Sequence, residues 1–527
     1  MLRLEGLGYT YPSVAAATLT NVSLQLTPGT LTLLTGPSGC GKSTLLRLAA
    51  GLSQRHGQGR VSGRALVGGV RVEALSPAER ARQLAFVSQE PGDQLLTGTL
   101  GDELAFGMES AGFDPAEINA ALAPALSRVG LPVELERSTR ALSGGQAQRL
   151  VVAAAMVAGA KLLLLDEPLA MLDPAGAADL MRQLRAACDE GAAALLIEHR
   201  LEQCLPYADT LVILGGDGVV LAQGAARPLS PELEAAMGRL GLDAPELWRL
   251  AHLVRPTPVD HLRRRPGRSP PPAPAFTPTG PPALRAGPLR HRYERAVPLA
   301  LDVSSLQLFP GERVALVGGN GAGKSTLLLA LRGAVPAGPV SVRGRVVHVP
   351  QDPDLSLLCE TVAEELALGP AEAGLRGEAL QARVQKAAED FGIEGLLDQA
   401  PQALSRGQRQ RVAVAAAVAT APAVLALDEP TAGQDSASLE RLMVGLRAFP
   451  GALLFATHDL GLTLRHATRT LVMIQGQIVR DGPPQEALRD LPEPSPLPLP
   501  PLAQLCARLG LPPMDPLALA AFVEPRP

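Results

Sequence analysis

Residues 36–44 read GPSGCGKST, and residues 318–326 read GGNGAGKST. Both fit G-x-x-x-x-G-K-[ST], in which glycines let the backbone curl until successive N–H groups point at phosphate oxygens. Candidate nucleotide-binding residues are therefore Gly36, Pro37, Ser38, Gly39, Cys40, Gly41, Lys42, Ser43 and Thr44 in the first loop. Their counterparts are Gly318, Gly319, Asn320, Gly321, Ala322, Gly323, Lys324, Ser325 and Thr326. In such loops the lysine reaches the β- and γ-phosphates and the serine offers its hydroxyl to Mg²⁺. TLTLL before Gly36 and ERVALV before Gly318 read as buried strands, whereas TLLRLAA and TLLLALR after the lysines read as helix starts. Strand, loop and helix is the order a phosphate cradle requires.

At 527 residues and 46% hydrophobic content, the chain is long enough for two sizeable cores. A net charge of −4 gives no reason to expect nucleic acid as a partner. Five scattered cysteines without C-x-x-C spacing suit a reducing compartment rather than a disulfide framework or zinc site. Cys40 reads as a small loop residue with no chemical duty. The start, MLRLEGLGYTYP, lacks the apolar core of a secretory signal. The apolar runs before Lys161 and Asp428 are too short or interrupted for a membrane span, and fit a buried helix running into a buried strand.

The two loops belong to a longer repeat. Tyr11 and Tyr293 each lie 25 residues before the first glycine of their loop. Gln89 and Gln351 each lie 54 residues before Ser143 of LSGGQ or Ser405 of LSRGQ, and these serines precede Asp166 and Asp428 by 23 residues. Asp173 and Asp435 follow seven residues later, and His199 and His458 close apolar runs in each half. The one large mismatch lies between lysine and glutamine, 47 residues apart in the first half and 27 in the second. A surface hairpin and helix are expected to be missing there from the second copy.

Phosphate loop, glutamine, LSGGQ-type signature, DEP motif, aspartate and histidine, twice in one order, resemble two ATP-binding-cassette nucleotide-binding domains over roughly residues 1–230 and 286–490. The resemblance implies an α/β fold: two P-loop NTPase domains in tandem, each with a parallel-sheet core, an antiparallel β subdomain and a helical subdomain. The implied boundaries are 1–232 and 286–490 for the domains, with 233–254 a C-terminal extension of the first, 255–285 a Pro/Arg-rich linker and 491–527 a Pro-rich C-terminal extension.

The same resemblance assigns chemistry. ATP and Mg²⁺ are the implied ligands, with Ser43, Gln89 and Asp166, or Ser325, Gln351 and Asp428, around the metal. Glu167 and Glu429 are implied to polarise the attacking water, with Gln89, Gln351, His199 and His458 completing the catalytic set. Tyr11 and Tyr293 stand where the family stacks a ring under adenine. The signature residues Ser143, Gly144, Gly145 and Gln146, or Ser405, Gly407 and Gln408, are implied to meet ATP held by the opposite copy, giving two shared head-to-tail sites. Both glutamates and both histidines are present, so both sites are expected to hydrolyse ATP, and because Arg406 replaces the first signature glycine of the second copy, the site completed by Ser405 is expected to be altered in rate.

QEPGDQLLTGTLGDELAFG and, less fully, QDPDLSLLCETVAEELALG resemble the glutamine-loop region of ATPases of energy-coupling-factor (cobalt and vitamin uptake) transporters. Ser356 stands where the first copy has Gln94, and Leu368 where it has Phe106. IEHR, residues 197–200, also resembles that group. The implied protein energises a membrane importer for a vitamin or transition-metal ion from the cytoplasmic face. Its implied partners are an integral membrane coupling subunit and a separate substrate-binding membrane subunit, with no nucleic acid. Alternatives are a tandem sugar-importer ATPase and a soluble ribosome-associated translation factor; the latter usually has a long charged helical linker. Here the linker is Pro-rich with Arg263, Arg264, Arg265 and Arg268, and reads as a semi-rigid solvated tether. Stretches 230–254 and 496–516 share an RLGL-type helix end and read as matching extensions that hold the pair together without ATP.

Overall fold

A computed structural model describes residues 1–12, 16–52, 59–240, 242, 250, 254, 262–265, 276–278, 280–293, 298–431, 436–489, 501–514 and 516–525. The chain divides into two compact units, Met1–Ala244 and Pro245–Pro527.

In the first unit, strands β1 (Leu2–Thr10) and β2 (Leu19–Leu26) pair antiparallel, and β1 also pairs with β4 (Arg60–Val67). The six-stranded core sheet uses β3 (Leu31–Thr35), β6 (Leu84–Val87), β7 (Leu162–Asp166), β8 (Ala193–Ile197), β9 (Thr210–Leu214) and β10 (Val220–Ala225). Its order is β10-β9-β3-β8-β7-β6, parallel except at β10. LTLLT, LLLLD and AALLI are buried at every position, the mark of strands covered on both faces. Helices Leu100–Ala111, Pro115–Arg128 and the start of Gly144–Val157 form a separate helical layer around Leu104, Met108, Leu122 and Leu150.

The second unit repeats the plan. Its core sheet runs β18 (Val346–Val349), β19 (Val424–Asp428), β20 (Ala452–Thr457), β16 (Arg313–Val317), β21 (Arg469–Ile474) and β22 (Gln477–Gly482), again with only the last strand antiparallel. Its antiparallel part is smaller: Leu284–Ala286 pairs with Leu306–Leu308 and Val340–Val342, and Leu289–His291 pairs with Leu301–Val303. The expected deletion is visible between glycine loop and glutamine. The first copy has an eight-residue β4, a short return strand Val70–Arg71 and helix Pro77–Gln83, where the second keeps only Val340–Val342 before β18. The Ala/Val-rich runs form helices Gly144–Val157 and Arg406–Ala419, each leading into a core strand.

The stretch read as an extension of the first domain divides. Helix Pro231–Leu240 buries Leu233, Ala236 and Met237 in the first unit, whereas Leu250 joins a small core in the second with Leu262, Leu502, Cys506, Leu519 and Val523. The RLGL ends match in detail: Leu242 N–H donates to Met237 O at 3.0 Å and Leu511 N–H to Cys506 O at 2.9 Å, the wide bond of a Schellman end. Within the stretch read as a tether, Leu262–Arg264 pairs antiparallel with Val523–Pro525. Arg263 bridges to Glu524 at 2.9 Å, and Arg265 donates to Val523 O at 2.7 Å, so these arginines engage the C-terminal segment instead of standing on a solvated linker. Arg268 lies outside the described residues.

Candidate functional site

The glycine loops join the ends of β3 and β16 to helices Lys42–Ala49 and Lys324–Leu331. Gly41 and Gly323, at φ 99° and 100°, turn the chain into the helix in a left-handed conformation. A Cβ on Gly323 would stand 2.4 Å from Ala300 O, so both space and dihedral require glycine. Lys42 Nζ donates to Gly36 O at 2.8 Å and Pro37 O at 2.9 Å, and Lys324 Nζ to Gly318 O at 2.7 Å and Gly319 O at 3.2 Å. Each buried ammonium thus spans the cradle it is suited to share with a phosphate. Cys40 is buried within the loop, and burial pushes its thiol up, which disfavours the reactive thiolate.

Asp166 and Asp428 end the inner strands β7 and β19, each next to an edge strand, with buried carboxyls. Burial, with the adjacent Glu167, pushes Asp166 up to about 6, against a hydrogen bond from Ser43. Asp428 shifts the same way, chiefly by burial and against a hydrogen bond from Ser325. In both, Oδ1 is buried without a hydrogen-bond partner. A carboxylate next to a serine hydroxyl, with one lone-pair oxygen unsatisfied, fits a hard divalent cation such as Mg²⁺.

Glu167 collects the next residues. Gln89 Nε2 donates to its Oε2 at 2.9 Å, and His199 Nε2 lies 3.1 Å from its Oε1. In the second copy Glu429 is met by His458 Nδ1 at 3.0 Å and by Lys324 Nζ at 3.4 Å. Glu167 and Glu429 have φ of 49° and 46°, unusual for a side chain with Cβ. The strain is held by Glu167 N–H donating to Ile197 O at 3.0 Å and Glu429 N–H to Ala456 O at 2.9 Å, which ties each glutamate to the strand that ends at its histidine. Gln351 follows β18 as Gln89 follows β6.

Tyr11 and Tyr293 repeat in three dimensions. Their hydroxyls lie 3.0 Å from Thr44 Oγ1 and 3.2 Å from Thr326 Oγ1, and each ring packs edge-on against Tyr9 or His291. The signature residues are not in these clusters. Ser143 caps helix Gly144–Val157 by accepting from Gln146 N–H, while Gln146 Oε1 accepts from Ser143 N–H at 3.1 Å; Ser405 and Gln408 do the same at Arg406–Ala419. Gln146 and Gln408 are thus engaged in their own helix caps. Asp173 also caps a helix, accepting from Gly176 N–H at 2.8 Å, and Asp435 lies outside the described residues.

Sequence reading missed roles for Glu103, Glu365, Glu198 and Arg200. Buried Glu103 accepts from the N–H groups of Leu96 and Thr97 at 3.0 and 2.9 Å, and Glu365 from those of Leu358 and Cys359 at 2.7 and 2.9 Å. Their shared offset, the one relating Gln89 to Gln351, was the available signal. Gln94 staples the glutamine loop in the first copy, accepting from Ser88 N–H at 2.7 Å and donating to Phe86 O at 3.0 Å. Ser356 is too short for that, and there Asp354 is bound by Arg409 at 2.7 Å.

The ABC transporter family model matches residues 19–170 and 301–432. This chain belongs to the ABC transporter family. A Methanosarcina mazei protein named as an ABC transporter ATP-binding protein is 33% identical over 97% of this chain and 94% of its own length. A Streptomyces avermitilis protein of the same description is 35% identical over 93% of this chain and 95% of itself. Among solved structures, the RNase-L inhibitor matches 95% of this ABC protein and 93% of its own chain with a TM-score of 0.60 at 20% identity, a likeness of fold. Duplicated ABC domains make the protein an ATPase. Among the described residues no helix is long and apolar enough to cross a membrane.

Proposed function

We propose that this ABC ATPase energises a membrane importer of the energy-coupling-factor type, taking up a vitamin or transition-metal ion, and works through two ATP sites shared head to tail between its copies. The observation that carries the reading is a matched pair of exposed apolar residues beside each glutamine loop. Leu96 and Phe106 are 68% and 46% exposed, and Leu358 and Leu368 are 77% and 38% exposed. Water-facing leucines are common singly, but the same positions exposed in both copies suit the docking of apolar helices from a membrane partner. Glu103 and Glu365 stiffen the segments that present Leu96 and Leu358, and each segment begins at the glutamine that leads to the ATP site.

In the site itself, Lys42 or Lys324 neutralises phosphate charge. Ser43 with Asp166, and Ser325 with Asp428, would hold Mg²⁺, which would neutralise phosphate charge when bound. Glu167 and Glu429 orient the attacking water, and His199 and His458 stand ready to donate to the γ-phosphate. The signature helix of the opposite copy completes each site through Ser405 and Gly407 or Ser143, Gly144 and Gly145. Tyr11 and Tyr293 supply the adenine face.

The tandem fold is also that of a ribosome recycling factor, at 20% identity, so the test has to separate membrane from ribosome. The tagged full chain is expected to co-purify from solubilised membranes with small integral membrane proteins. Leu96→Asp with Leu358→Asp is expected to remove them while the isolated chain keeps its ATPase activity. Recovery with ribosomes instead of membrane proteins overturns the reading.

A further inference from the structure

The two histidines sit in different settings. In the first copy the histidine is flanked by Glu198 and Arg200, in the second by Thr457 and Asp459. Glu198 is 2% exposed at the end of β8. Its Oε1 accepts from Leu169 N–H at 2.8 Å, and its Oε2 lies 3.2 Å from His199 N–H, which donates to it. Arg200 Nη1 donates to Leu172 O at 2.9 Å and Nη2 to Ala170 O at 3.3 Å. With the bond from Glu167 N–H to Ile197 O at 3.0 Å, residues 197, 198 and 200 grip segment 167–172 at four successive points. That segment runs from Glu167 to Asp173, so it links the glutamate of one site to the aspartate loop.

In the second copy Glu429 N–H donates to Ala456 O in the same way, and residues 432–434, which correspond to 170–172, lie outside the described residues. Thr457 Oγ1 accepts from Asp459 N–H at 3.0 Å, and Asp459 Oδ1 accepts from Leu462 N–H at 2.8 Å, capping helix Leu460–His466. Asp459 uses its carboxyl to accept from Leu462 N–H and does not carry the guanidinium donors with which Arg200 reaches two backbone carbonyls.

We propose that Glu198 and Arg200 are positioning residues of the first copy, clamping segment 169–172 to the strand that carries His199 and so fixing Glu167 and His199 relative to each other. In the second copy Thr457 and Asp459 stand in their places and are engaged with Asp459 N–H and Leu462 N–H, a difference that makes the two sites unequal in turnover independently of Arg406. The bond that Leu169 N–H donates to buried Glu198 is shielded from water, so breaking it leaves a buried polar group unsatisfied. Its benefit falls on geometry, because small displacements of a reacting group cost large factors in rate. The inference rests on the proposed roles of Glu167 and His199.

The test uses the full chain carrying Glu429→Gln, so that turnover reports Glu167. Adding Glu198→Thr with Arg200→Asp, a pair the second copy already accommodates, is expected to lower kcat about tenfold with KM for ATP changed less than about twofold. In the same protein the amide hydrogen of Leu169 is expected to exchange at least about tenfold faster. Glu198→Gln keeps an acceptor for Leu169 N–H and is expected to recover part of kcat. Unchanged kcat with lost Leu169 protection overturns the positioning role, and unchanged protection overturns the clamp itself. If the double variant fails to fold, Glu198→Ala and Arg200→Ala made singly decide, and a kcat equal to the parent's in both overturns the proposal. Glu167→Gln in the same background separates the premise: persisting turnover there removes the assigned role of Glu167, while Leu169 exchange still reports the clamp.

Discussion

Asp166→Asn is expected to make the nucleotide-free protein more stable at neutral pH, although it removes a residue proposed to hold Mg²⁺. Asp166 is 2% exposed, and its Oδ1 has no hydrogen-bond partner. Burial first, and the charge of Glu167 second, raise its pKa from 3.8 to about 6. A shift of about two units corresponds to about 3 kcal/mol, since each unit is about 1.4 kcal/mol. The folded state holds this proton more tightly than the unfolded state. The favourable contribution is therefore fully present below the unfolded pKa of 3.8 and is lost as pH rises through about 6. Asparagine does not titrate and keeps nearly the same shape beside Ser43. The variant should match the parent near pH 4 and exceed it by about 3 kcal/mol near pH 7.5, or about 6–12 °C in the melting of a unit this size. Scanning calorimetry of the full chain in chelator without nucleotide, from about pH 4.5 to 7.5, reads this directly, with the second unit's transition as internal reference because two units give no single unfolding free energy. An unchanged or lowered first-unit transition near pH 7.5, or a gain that persists undiminished at acid pH, refutes the reasoning.

Glu167→Gln and Glu429→Gln, made separately, are expected to leave unequal residual turnover; equal values in steady-state ATPase assays would remove the case for asymmetry. Gly323→Ala places a Cβ 2.4 Å from Ala300 O at φ 100° and is expected to cost about 1–3 kcal/mol and weaken ATP binding in the second copy, checked by thermal melting and titration calorimetry. Leu519→Ala hollows the small C-terminal core, where Leu519 is fully buried, at a cost of about 2–5 kcal/mol. Limited proteolysis should then cut the 501–525 region sooner, whereas Arg263→Ala, losing a half-exposed ion pair with Glu524, should change it little.

Much of the site was legible because phosphate chemistry constrains the chain locally. A glycine loop between a buried strand and a helix can be recognised from nine residues, and a carboxylate after four apolar residues is delivered to a sheet edge by strand geometry alone. Duplication sharpened this, since spacing shared by two copies marks Gln89, Glu167 and His199 without any contact being known. The convergence of Gln89 and His199 on Glu167 was not legible, because it joins residues 78 and 32 positions apart through sheet order. Glu198 and Arg200 were read only as part of a family-like phrase, for their partners are backbone atoms of residues 169–172, and backbone partners leave no pattern in a sequence. The Arg263–Arg265 stretch was read by composition as a tether, but it finds Val523–Pro525 across the length of the second unit, a pairing that local composition cannot encode.

The sequence by itself determined that two ABC domains are present, where each carries its glycine loop, and which loop region the second has shed, because these follow from local backbone and periodicity. Only the tertiary structure decided which glutamate collects glutamine and histidine, that Glu103 and Glu365 brace exposed leucines, and that Glu198 and Arg200 tie residues 169–172 to the end of β8. Those outcomes depend on distances across the sheet, where hydrogen-bond geometry acts between residues that chain order keeps far apart.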